Sequence, residues 1–179
     1  MRIAYLLVFL AGVLLLVPTC KQIAEKASEK VAEKMIEQSS GGKAKVDLNT
    51  KDGSMKVTSN DGKAQTQWGK GTSMPEGWPS WLGQYPGSTV QMSNRQVLTD
   101  KLSLTATLLT KDAPEQIVKF YEDKATAQGM KSTMKMSMPQ NGSMESFTKD
   151  DQVLTVTCVT GTDGNTISLI YESKPKKAG

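Results

Sequence analysis

Between residues 89 and 174 apolar side chains recur at every second position in run after run, and this alternation admits little besides half-buried β-strands. Thr89-Val-Gln-Met92 and Leu102-Ser-Leu-Thr-Ala-Thr-Leu-Leu109 form the first two runs. Four more follow, Met130 to Met138, Ser143 to Thr148, Gln152 to Thr160 and Thr166 to Glu172, separated by Asn141-Gly142, Lys149-Asp-Asp151 and Thr162-Asp-Gly-Asn165 turns. One segment breaks the period. Ile117, Phe120, Tyr121 and Ala125 fall at helical spacing, Pro114 suits a first turn, Asp112 and Glu115 have capping-box spacing, and Gly129 is placed to end the helix. The order β-β-α-β-β-β-β predicts an α+β fold, an antiparallel sheet packed on one helix.

Upstream, three nine-residue units align as KVDLNTKDG, SMKVTSNDG and KAQTQWGKG over residues 45–71. Each opens with an alternating pair, Val46/Leu48, Met55/Val57 and Ala64/Thr66, and each closes on glycine. Asp52-Gly53 and Asp61-Gly62 are hairpin-turn dipeptides, so a short β meander is expected. The spacing of Asp47, Asp52 and Asp61 fits neither an EF-hand nor a glycine-rich calcium repeat. Residues 73–88 then gather Pro75, Pro79 and Pro86 with Gly77, Gly83 and Gly87, a composition suited to a loop. Trp78, Trp81 and Tyr85 in that loop either staple it to the domain or form a ligand- or partner-binding surface.

Residues 21–38 read as a helix. Ile23, Ala27, Val31 and Met35 recur four apart, with Ala24 and Ile36 widening the stripe, and Glu25, Glu29, Glu33 and Glu37 form a separate acidic line. The favoured expectation is a stalk; an oligomerisation arm, or a helix folded onto the domain or the lipid surface, are the alternatives. The stripe spans fewer than the three to four heptads of a persuasive coiled coil.

The first twenty residues carry one basic residue, an uncharged apolar run from Ile3 to Val17, and then Val17-Pro18-Thr19-Cys20. The run is short for a bilayer-spanning helix, and Pro18 interrupts its continuation. The segment resembles the signal of a bacterial lipoprotein, although Val17, Pro18 and Thr19 stand where Leu and small residues are usual. The resemblance implies cleavage after residue 19, acylation of Cys20, membrane attachment through that lipid and an envelope location. Lys21, in place of the aspartate that favours inner-membrane retention in the enteric proteins, tilts the expectation to the outer membrane, facing the periplasm. Pro75-Glu-Gly-Trp-Pro79, Tyr85-Pro-Gly87, and a helix with Phe120-Tyr121 ending at Gly129, followed by strands, resemble an uncharacterised domain of bacterial envelope lipoproteins, from about Val46 to Tyr171. No catalytic residue carries over from that resemblance. The expected organisation is a signal (1–19), anchor and stalk (20–42), β repeat (43–72), aromatic loop (73–88), α+β domain (89–174) and basic tail (175–179).

Composition narrows the chemistry further. Histidine is absent, which removes the commonest general base, the commonest transition-metal ligand and the usual activator of a serine or cysteine nucleophile. Cys158 shares a strand face with Leu154 and Val156, so with Cys20 acylated it should be a buried free thiol. Loss of Arg2 with the signal leaves 21 basic against 18 acidic residues, mixed along the chain, which argues against a nucleic-acid partner. The expectation is a binding or scaffolding protein without catalysis or a cofactor, its partner an envelope protein, a polymer or an apolar ligand. Two alternatives stay open: soft-metal binding, copper(I) in particular, by Met134, Met136 and Met138 on one strand face, and a carboxylate-dependent hydrolase.

Overall fold

The computed structural model describes residues 17–39, 41–138 and 142–174, with side chains from Ser28 onward and without that of Met138. Residues 1–16 of the expected signal, the Cys20 side chain, the Asn141 turn residue and the basic tail 175–179 lie outside the described residues. Among the described residues, no helix is long and apolar enough to cross a membrane.

The fold is α+β, as the alternation predicts: one antiparallel sheet of nine strands with a helix packed on one face. In chain order the elements are α1 (Val17–Ser39), β1 (Ala44–Asn49), β2 (Ser54–Ser59), β3 (Ala64–Trp68), β4 (Thr89–Val97), β5 (Leu102–Thr110), α2 (Pro114–Ala127), β6 (Lys131–Met138), β7 (Gly142–Lys149), β8 (Gln152–Gly161) and β9 (Gly164–Ser173). The spatial order β1-β2-β3-β4-β5-β9-β8-β7-β6 consists of two meanders joined where β5 pairs with β9. α2 carries the chain from the middle of the sheet to its far edge.

Cross-strand partners share a face, so the registers sort the side chains. Leu104, Ala106 and Leu108 oppose Tyr171, Leu169 and Ile167, which in turn oppose Leu154, Val156 and Cys158. All nine are buried and lie on the side covered by α2, which contributes Ile117, Tyr121 and Ala125. This is the core. The opposite face carries Thr105, Thr107, Thr155, Thr157, Ser168 and Ile170, none of them buried.

The meander is not separate from the domain. β3 pairs with β4 over Ala64–Gln96 to Trp68–Met92, so the two regions share one hydrogen-bonded sheet. β4 runs five residues past the predicted end at Met92. A register shift between Val90 and Met92 turns Val90 toward α2 and Met92 away from it, which breaks the period-two pattern used to recognise the strand. The Asp-Gly turns form as expected, with Gly53 and Gly62 at φ +70° and +68°. Asp52 accepts from the Ser54 amide and hydroxyl, and Asp61 from the Ser59 hydroxyl and the Lys63 amide, which lowers the pKa of both carboxyls.

Two expectations about helices need correction. Asp112 and Glu115 make no capping box: Ala113 is the N-cap without a side-chain bond, and the Asp112 carboxylate accepts instead from the Tyr85 hydroxyl at 2.9 Å. Nor does α1 stand free as a stalk over its described side chains. Its acidic line lies along β1, with the amides of Val46, Leu48 and Thr50 donating to Glu37, Glu33 and Glu29 at 3.1, 2.9 and 2.8 Å. The match is geometric. Four residues of helix rise about 6.0 Å and two residues of strand about 6.6 Å, so successive carboxylates meet successive outward amides. β1 therefore has its outer edge satisfied by α1, whereas β6 at the other end has no strand or helix along its outer edge among the described residues.

Candidate functional site

The aromatic loop crosses the α2 side of the sheet and splits its aromatics between two tasks. Leu82 and Tyr85 enter the core, where the Tyr85 ring meets Phe120 edge-on at 5.1 Å between centroids. Burial raises the Tyr85 pKa, and the hydrogen bond to Asp112 adds to it. Successive turns hold the loop, from the Trp78 amide to the Pro75 carbonyl, the Leu82 amide to Pro79 and the Ser88 amide to Tyr85. The Lys124 ammonium on α2 ties it down further through the Trp81 carbonyl at 3.1 Å.

Trp78 and Trp81 stay half-buried and line a cleft of about 910 Å³. Its floor comes from the sheet: Tyr171, which meets Trp81 edge-on at 6.3 Å between centroids, together with Val97 and Leu102. The rim is polar, with Arg95, Lys149, Asp151, Gln152 and Lys174. Lys174 pairs with Asp151 at 2.8 Å, and this contact raises the lysine pKa. Lys149 donates to the Gln128 carbonyl and Arg95 to the Gly62 carbonyl, so these two cations are positioned by neutral acceptors. The Trp78 indole N–H is buried without an acceptor among the described residues.

Of the three loop aromatics expected to form a site, the structure thus brings Trp78 and Trp81 together at the cleft and assigns Tyr85 to the core. The sequence did not point to Arg95, Val97, Leu102 or Tyr171. Only the strand order could have found them, because β4, β5 and β9 are neighbours in space while β9 begins more than fifty residues after β5 ends.

A second cleft of about 570 Å³ runs between α2 and the β6–β8 end of the sheet, lined by Glu115, Val118, Glu122, Lys135, Ser137 and Ser143 among others. Beside it Glu145 is buried on the helix side, accepting from Ser132 at 2.8 Å and paired with Lys135 at 3.2 Å. That hydrogen-bonded pairing raises the Lys135 pKa. Among the described residues, the carboxyls shown with displaced pKa, Asp52 and Asp61, sit in exposed turns and are lowered, the opposite of a general acid.

Met134 and Met136 project from β6 on the face away from α2, with relative exposures of 47% and 50%, and Met136 opposes Met144 on β7. They are surface residues rather than core. Met138 lies at the end of the same strand, its side chain outside the described residues. Cys158 is fully buried and unpaired, and burial pushes its thiol pKa up to about 11.

Residues 89–172, a little under half of the chain, match a START domain-like family. No curated protein and no solved structure matches the chain. The matched segment begins with β4 and takes in α2 and all but the last residue of β9, the helix and strands that form the core and most of the cleft floor. The likeness fits a ligand-binding domain.

Proposed function

We propose that this chain is a lipid-anchored protein of the cell envelope, held by an acylated Cys20 at the periplasmic face of the outer membrane, that binds an apolar or amphipathic ligand without transforming it. The observation that carries the binding part is the cleft, where two half-buried indoles face a floor of Tyr171, Val97 and Leu102 beneath a charged rim. Flat apolar walls take up a hydrocarbon body, and Arg95 and Lys149 at the rim suit a polar or anionic end. An envelope partner would present the same chemistry as an apolar side-chain cluster. The START-like segment supports a binding role.

Titration with a dansylated fatty acid, followed by energy transfer from tryptophan, tests this reading. Trp78→Ala and Trp81→Ala should each weaken binding by about tenfold or more, because a buried large apolar side chain contributes on the order of 1.5–3 kcal/mol. Binding unchanged in both variants would sink the cleft as the site. The anchor is tested separately by intact mass and membrane fractionation beside Cys20→Ser; an unmodified full-length chain would overturn it.

A second reading has one observation in its favour: Met134, Met136 and Met144 place thioethers on one open patch of β6 and β7. Soft sulfur ligands favour copper(I). Titration with copper(I) under a competing chelator decides it, and affinity no tighter than millimolar ends the metal reading.

A further inference from the structure

We infer that α1 is an interfacial helix whose outward stripe, centred on Val31 and Met35, lies on the surface of the bilayer that holds the acyl anchor. The carboxylate ladder fixes the orientation. Glu33 is two residues from both Val31 and Met35, about 200° around a helix axis, so docking the acidic line on β1 turns this stripe away from the protein. Accordingly Val31 and Met35 have relative exposures of 54% and 66%, among the largest for apolar residues in the described structure, and Ile36 beside them is also exposed.

Three observations single out a lipid surface as the occupant. α1 is continuous from Val17, so Cys20 stands eleven residues before Val31 on the same helix, roughly 17 Å away at 1.5 Å per residue. An anchor at that distance keeps the stripe within reach of the headgroup region. Lys30 and Lys34 are both exposed and flank the stripe on one side, where their ammonium groups can meet anionic headgroups while the stems lie on apolar surface. The stripe is also too short to hold a second copy as a coiled coil. The inference rests on the anchor reading for bringing α1 to the bilayer.

The test uses the full chain in vesicles of phosphatidylethanolamine and phosphatidylglycerol. A bimane fluorophore is attached to Val31→Cys, Met35→Cys or, as a control on α2, Lys119→Cys, with the parent chain labelled in parallel as background. Lipids spin-labelled near the headgroup should quench positions 31 and 35 severalfold more than position 119. Equal quenching at the three positions overturns the proposal. So does bimane self-quenching between copies at 35 without lipid quenching, which would assign the stripe to a second copy. Intact mass of the same samples reports Cys20 acylation independently: an unmodified cysteine refutes the anchor reading, while weak quenching at 31 and 35 in a chain whose mass shows acylation refutes the interfacial helix.

Discussion

Cys158 shows how far a single side chain can be read. Its thiol follows Leu154 and Val156 along one face of β8 and lies opposite Ile167 on β9, fully buried, where ionisation is costly. It should resist alkylation in the folded protein at pH 8 and react fully in denaturant; rapid modification of the native state would contradict the packing. Its raised pKa also sets a pH dependence. Between its ordinary value of 9.0 and about 11 the unfolded thiol loses its proton while the folded one keeps it, so unfolding gains ground as pH rises. Burial raises Tyr121 and Tyr171 in the same sense. Urea midpoints should therefore fall steadily above pH 9, and Cys158→Ala should flatten the early part of that fall. At Tyr85 the lesson concerns a hydroxyl. Tyr85→Phe keeps the ring contacts with Phe120 but leaves Asp112 without its donor, and should cost about 1 kcal/mol in a urea titration. Alternation made the burial of Cys158 legible in the sequence. The Tyr85–Asp112 bond was not, because twenty-seven residues separate the pair and Asp112 had a plausible local role as a cap.

For the elements, what was legible depended on whether a period survives intact. β5, β8 and β9 keep their alternation because one face is buried along most of their length, and their spans were read within a residue or two. β4 was cut short since its bulge switches the pattern from one face to the other. α1 is the instructive reversal. Its apolar stripe looked like the docking face, yet an edge strand offers a row of amides, and a row of carboxylates satisfies them more fully than a narrow Ala-rich stripe would. Replacing Glu29, Glu33 and Glu37 together by alanine should release the helix, and amide exchange at Val46, Leu48 and Thr50 should accelerate by an order of magnitude or more; unchanged protection would mean that the ladder contributes nothing. The turns punish errors of another kind. Gly164 holds φ +134° with the Thr110 carbonyl oxygen 2.7 Å from where a Cβ would sit, so Gly164→Ala should destabilise the β8–β9 hairpin and lower Tm clearly.

Taken whole, the molecule joins a polar, repeat-built meander to an apolar-cored domain through the β3–β4 pairing. Unfolding should then be one transition, with exchange of β2 amides and loss of near-ultraviolet signal from the core coinciding; a meander that melts first would show the pairing to be weak. Strand composition made both halves visible in the sequence but gave no sign that they share a sheet, since pairing is long-range information. The cleft was half visible for the same reason. Trp78 and Trp81 announce themselves in a proline-rich loop, whereas Tyr171 and Arg95 become part of a site only when β9 and β4 are brought either side of β5.

The two ends of the sheet are unlike, and this asymmetry limits how copies can associate. With β1 already occupied by carboxylates, β6 is the edge left open to an added strand among the described residues. A second molecule joining there through its own β6 closes the pair about a twofold axis and leaves two shielded margins. Strand addition is thereby terminated after one step, so crowding favours discrete pairs over ribbons that grow without end.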